Sequence, residues 1–164
     1  GNNLIIVKKM FPMAQLVSRE FSPTARSLQK LFLAEKIKKF QLGDFNLYSE
    51  RNKFSFRHSV IFTSFVFSLV KYFPEHIIDS LIMSGAKYIV NIEPIFEAQN
   101  NNNNLDSKVK EYIVNNEYNV DYFSKLLRYQ EAGKIRILCF VKNKYGINAF
   151  FPASLLVWEI CGEN

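Results

Sequence analysis

The sequence has 164 residues, enough for one packed domain. Hydrophobic residues make up 48% and charged residues 22%, which excludes a disordered chain; aromatics reach 15%, with Phe dominant. The net charge of +6 is spread from end to end, with KIKKF and KNK as its densest clusters, so it reads as a lysine-rich solvated surface and not as a concentrated nucleic-acid face.

Cys139 sits in the apolar run IRILCFV and reads as core, whereas Cys161 lies near the C-terminus. The pair lacks CxxC spacing and gives no metal signal, and the low count favours a reducing, cytoplasmic setting. The longest apolar stretch, SVIFTSFVFSLV, is too short and too close to Arg57, His58 and Lys71 to span a membrane, so no membrane partner is expected.

In chain order, LIIVKKMFPMA puts its apolar residues on one helical face and stops at Phe11-Pro12, because proline cannot continue a helix. AQLVSREFSP reads as a strand over 15–19 that ends in an acid. Ser22 then caps a helix and Pro23 suits its first turn. TARSLQKLFLAEKI has helical apolar spacing. IKKFQL is the next strand candidate, followed by GDFN, which carries turn residues. NLYSERNKFSFRH is a polar surface connection.

SVIFTSF is almost continuously apolar and predicts a strand buried on both faces in the middle of a parallel sheet. FPEHIIDSLIMSGA predicts a helix broken at Gly85, and KYIVNIEP a strand stopped by Pro94. IFEAQNNNNNLDSK reads as a loose loop. VKEYIVNNEYNVDYFSKLLRYQEAG predicts one or two helices ending at Gly133. KIRILCFVKN is a long strand, YGINAFFP a turn, and ASLLVWEI the last strand. The alternation means an α/β fold with a Rossmann-like, mostly parallel sheet and helices on both faces. The final two strands, with no helix between them, predict an antiparallel C-terminal pair.

This order, with the residues at the strand ends, resembles class I S-adenosylmethionine-dependent methyltransferases over nearly the whole chain, from Gly1 to Ile160. In that family the first strand ends in a glycine-rich loop opening a helix, where only glycine lets backbone approach the cofactor closely. Gly1, Asn2 and Asn3 resemble the end of that loop. The resemblance therefore implies a single, partial domain over 1–164 in which the family's first strand is absent, and weak or no cofactor binding by residues 1–164 alone. It also implies that Glu20, with two acceptor oxygens, holds the ribose hydroxyls of S-adenosylmethionine and that Phe21 packs beside the adenine. Asp44, flanked by Phe45, would reach the adenine amino group. Thr63 and Ser64 would cup the methionine portion. On the rim where ligands meet open α/β sheets, Glu93 and His76 are the candidate catalytic residues, and Tyr145, Asn148 and Phe151 of the last loop face the acceptor.

Methyl transfer from a sulfonium needs alignment more than a catalytic triad, which fits the lack of one here. The implied acceptor is a small molecule, no nucleic-acid partner is expected, and a homo-oligomer through exposed sheet edges is compatible with the absent strand. An acid after a strand also fits the ribose of NAD in an oxidoreductase, although the C-terminal strand pair favours the methyltransferase sheet. A non-catalytic binding module of the same fold is the alternative from a different class.

Overall fold

The computed structural model describes all residues except 1, 35, 36, 38, 39, 47, 48, 50–54, 101–103, 147, 163 and 164, and for Asn2 it describes the backbone. The chain divides into two compact units, Gly1–Asn52 and Lys53–Asn164.

The first unit runs α1 (Asn2–Met10), β1 (Leu16–Glu20), α2 (Pro23–Ala34) and β2 (Phe40–Asp44). α1 stops where the sequence predicts, with the Phe11 N–H closing the last turn on Val7 and Pro12 beyond it. Ser22 caps α2 as expected: its hydroxyl accepts from the Ala25 N–H at 3.2 Å, with Pro23 in the first helical position. β1 and β2 pair in parallel, Leu16 opposite Phe40 and Glu20 opposite Asp44. Gly43 and Asp44, expected in a turn, are the last residues of β2, because this register gives both a partner. A small core of Leu16, Leu33 and Ile37 holds the unit, with Leu4, Ile5, Val7, Ala14 and Phe40 packed around it.

The second unit contains β3 (Val60–Ser64), α3 (Glu75–Met83), β4 (Tyr88–Glu93), α4 (Asn104–Asn115), α5 (Tyr122–Glu131), β5 (Ile135–Tyr145) and β6 (Ala153–Ile160). Short 3-10 turns cover Phe67–Leu69 and Phe96–Ala98. The sheet order is β3-β4-β6-β5. β3 and β4 are parallel, and β6 runs antiparallel to both β4 and β5. This is the expected mixed α/β arrangement with an antiparallel C-terminal pair. α3 ends at Gly85, whose φ of +74° suits only glycine without strain. α5 ends in a Schellman motif, with the Lys134 N–H bonded to Tyr129 and the Gly133 N–H to Gln130.

Three expectations are corrected. SVIFTSF is not buried on both faces: β3 is an edge strand of this sheet, with Val60 60% and Phe62 41% exposed. Continuous apolarity reports a strand's affinity for burial, and it cannot report which neighbours are in place. Cys139 is half-buried and not core, since β5 is the opposite edge. The asparagine-rich segment is not all loop, because α4 begins at Asn104.

β4 alternates half-buried and buried positions, with Ile89, Asn91 and Glu93 on its buried side. Two of these three are polar, so each needs partners. Asn91 finds them on three elements. Its Oδ1 accepts from Tyr122 Oη at 2.8 Å and from Trp158 Nε1 at 2.9 Å, and its Nδ2 donates to Thr63 Oγ1 at 2.8 Å. Phe67, Phe73 and Tyr122 pack edge to face around the same centre, with centroids 4.6–5.1 Å apart.

Removing a buried partner costs more than removing a group whose partner keeps another bond. Asn91→Ala strands a tyrosine hydroxyl and an indole N–H, so we expect a loss of about 3 kcal/mol or more, whereas Tyr122→Phe costs about 1 kcal/mol. Denaturant unfolding followed by Trp158 fluorescence measures both, and equal costs would contradict the network.

Candidate functional site

In the first unit, register brings two expected residues together. Glu20 and Asp44 are opposite each other at the carboxyl ends of parallel strands, where open α/β sheets receive ligands. Glu20 is half-buried, and one of its oxygens accepts from the Ser22 N–H at 3.0 Å. Its second oxygen has no partner among the described residues. Asp44 is exposed and its carboxylate likewise has none among them. The pair thus keeps free acceptor capacity, which is what holding hydroxyls or an amino group requires. Phe21 is 65% exposed beside Glu20, and Phe45 is half-buried. Asn3 lies in the first turn of α1; Asn2 is there too, while Gly1 falls outside the described residues.

In the second unit the carboxyl ends of β3 and β4 bring Thr63 and Glu93 together. Thr63 is buried and its hydroxyl receives Asn91. Ser64, half-buried, follows it at the strand end. The next residue, Phe65, has a φ of +53°, a conformation costly for a bulky side chain. Glu93 explains why it persists. Its two oxygens accept the Val66 N–H at 3.0 Å and the Ser68 N–H at 3.3 Å, and the Phe65 N–H reaches Ile92 at 3.1 Å. Glu93 is only 1% exposed, and burial raises its pKa from 4.5 to about 7 against the opposing pull of these backbone bonds and of Thr63. In this arrangement Glu93 pins the turn after β3 and is out of a ligand's reach. His76 is in the first turn of α3 and half-buried.

The last loop is organised differently. Asn148 spends its side chain and carbonyl on the loop itself, accepting the Phe150 N–H at 2.9 Å and the Phe151 N–H at 3.0 Å. Phe151 packs on Phe65, Tyr112 and Tyr118. Tyr145 and Asn148 line a cleft of about 300 Å³ between this loop and α4. Nearby, Asn143 and Gln99 exchange two amide hydrogen bonds of 2.7 and 2.9 Å, which fasten β5 to the turn after β4. Sequence reasoning missed Asn91 as an organiser, Phe65 as the strained residue, and Tyr112. The only signal for Asn91 was a polar residue at the centre of an apolar strand.

No family model matches the chain, and no curated protein does. Solved structures match it well. The chain is similar to the structure described as PigF with SAH, with a TM-score of 0.60 and 16% identity over 97% of this chain and 47% of that one. It is similar to the S-adenosylmethionine-dependent methyltransferase SibL in its apo form, at a TM-score of 0.64, 9% identity, 96% of this chain and 47% of that one. The methyltransferase domain of bacterial CtHen1-C aligns at a TM-score of 0.57 and 14% identity, over 99% of this chain and 85% of that domain. The fold is that of a class I S-adenosylmethionine-dependent methyltransferase. The chain spans about half the length of PigF and SibL.

Within that methyltransferase fold, the titration of Glu93 fixes a direction. Its folded-state pKa lies above its unfolded value, so its contribution is complete below about pH 4.5 and is lost as pH rises through about 7. The loss amounts to roughly 3 kcal/mol. Glu93→Gln, which cannot ionise, removes this slope. Unfolding free energies of both proteins from pH 4 to 8 check it, and parallel profiles would sink the assignment.

Proposed function

We propose that the chain carries out S-adenosylmethionine-dependent methyl transfer to a small-molecule acceptor. The observation that carries this reading is the pair of carboxylates, Glu20 and Asp44, set side by side at parallel strand ends with acceptor oxygens to spare. A ribose offers adjacent hydroxyl donors and an adenine an amino donor, so both carboxylates have partners of the right kind. The methyltransferase-like fold of the chain adds to this.

When bound, S-adenosylmethionine supplies an activated methyl group together with its own leaving group. The chain's residues have simpler work. Glu20 takes the ribose hydroxyls with Phe21 against the adenine. Asp44 accepts the adenine amino group, with Phe45 as an apolar wall. Asn2 and Asn3, in the first turn of α1, border the methionine and ribose, and Gly1 is proposed to join them there. Thr63 and Ser64 shape the end of β3 for the methionine portion, and Glu93 keeps that end in place as a positioning residue. His76 is the side chain proposed to take the proton the acceptor gives up. Two free cysteines fit the cytoplasmic setting proposed for the protein, and the outer edge of β3, which has no strand partner among the described residues, is the proposed surface through which copies would associate. No described helix is long and apolar enough to cross a membrane.

Calorimetric titration of the full natural chain with S-adenosylhomocysteine tests this reading, with NADH as control. Saturable binding of the first alone is expected. Each of Glu20→Ala and Asp44→Ala weakens it at least about tenfold, as the loss of a hydrogen bond to a charged group does. Binding of NADH instead would favour the oxidoreductase. Silence toward both in a folded chain would favour a non-catalytic module.

A further inference from the structure

A cleft between α4 and the β5–β6 loop contains none of the residues proposed for the cofactor. Leu105, Val109, Tyr145 and Pro152 form its apolar walls, and Asp106, Asn143, Lys144 and Asn148 its polar ones. The two charges are not equivalent. Asp106 is 7% exposed and already taken, accepting from Lys142 Nζ at 3.0 Å and the Asn100 N–H at 2.8 Å. Lys144 is exposed and has no ion-pair partner among the described residues. The cleft therefore presents one uncompensated cation.

One turn beyond Val109, Tyr112 continues the same face of α4. Its ring and that of Phe150, on the loop, are nearly parallel at 29°, with centroids 6.4 Å apart. Another stacked pair, Phe123 and Phe140, is closed at 4.7 Å and 22°. Phe150 is 44% exposed on the loop, so its ring face is open to a flat partner. Behind Tyr112, the rings of Tyr118 and Phe151 close at 4.4 Å, and Phe151 meets Phe65 at 5.8 Å. The aromatic contacts thus run from Phe65, after β3, to Tyr112 and Phe150, which adjoin Val109 and Ala149 of the cleft lining.

We propose that this cleft, together with the Tyr112–Phe150 ring pair that adjoins its lining residues Val109 and Ala149, binds a planar aromatic molecule carrying an acidic substituent that pairs with Lys144. Under the methyl-transfer reading, on which this last assignment rests, that molecule is the acceptor. The near-parallel rings of Tyr112 and Phe150, with Tyr145, favour a flat aromatic body, Leu105, Val109 and Pro152 give it apolar contact, and the cation selects a carboxylate or an acidic hydroxyl.

Titration of the full natural chain with 2-naphthoate tests the proposal, with cyclohexanecarboxylate as an acidic, non-planar control and 2-naphthalenemethanol as a planar, neutral one. Saturable binding of naphthoate is expected, with the other two weaker. Phe150→Leu, on the exposed loop, weakens naphthoate by about five- to tenfold, the range of an aromatic pair. Lys144→Gln weakens naphthoate but leaves the neutral probe unchanged, and Tyr112→Leu repeats the Phe150 result while keeping apolar volume on α4. Equal binding of the two acids, no saturation by naphthoate, or indifference to Phe150→Leu in a folded variant would each overturn it. The S-adenosylhomocysteine titration separates the two readings. Naphthoate binding without the cofactor product leaves the cleft standing and removes the methyl-transfer reading; the reverse result removes the cleft.

Discussion

One buried amide sets the terms for the larger unit. Asn91 lies at the centre of β4 with no exposure, and burying an amide without partners costs several kcal/mol. The fold answers by bringing it a tyrosine hydroxyl from α5, an indole from β6 and a threonine from β3. Each of these donors or acceptors fixes an element: the antiparallel last strand, the helix before it, and the parallel neighbour. Slipping any strand by one residue would turn its partner to the opposite face of the sheet. Packing by Phe67, Phe73 and Ile77 gives the unit its cohesion, and the amide gives it a single register.

From Asn91 the same set of contacts reaches the carboxyl ends of β3 and β4. Thr63 receives Asn91 and helps hold down the pKa of the neighbouring Glu93, and Glu93 holds the backbone of Val66 and Ser68. The turn that begins at the strained Phe65 is thus tied to the core through the Glu93 side chain as well as through the backbone bond of the Phe65 N–H to Ile92. The smaller unit reaches an analogous result with fewer means. Two parallel strands and a capped helix place Glu20 and Asp44 in register, and the cap residue itself orients Glu20 through the Ser22 N–H. Ser22 therefore serves both the helix behind it and the acid in front of it.

Much of this was legible in the sequence because it is local. Phe11-Pro12, Ser22-Pro23, Gly85 and Gly133 act through backbone sterics and end or start elements where they stand. The order of strands and helices followed, and with it the fold and the strand-end acids. What escaped was set by partners distant in the chain. The apolarity of β3 gave no sign that it would be an edge, and Cys139 looked like core until β5 proved to be the other edge. Glu93 read as a rim acid because its position at a strand end is visible, whereas its 1% exposure depends on a turn 25–27 residues earlier. The Tyr112–Phe150 pairing joins residues that no periodicity links.

The way Glu93 is held has a consequence for motion. As a neutral acid it accepts hydrogen bonds weakly; as a carboxylate it grips the N–H groups of Val66 and Ser68 more firmly. Yet the charged form is the one that burial penalises. Tightness of the turn and stability of the whole unit therefore move in opposite directions as the group ionises. On the alkaline side the protein unfolds more readily while the strand end beside Ser64 and Phe65 is held more rigidly. On the acid side the body is firmer and its rim looser.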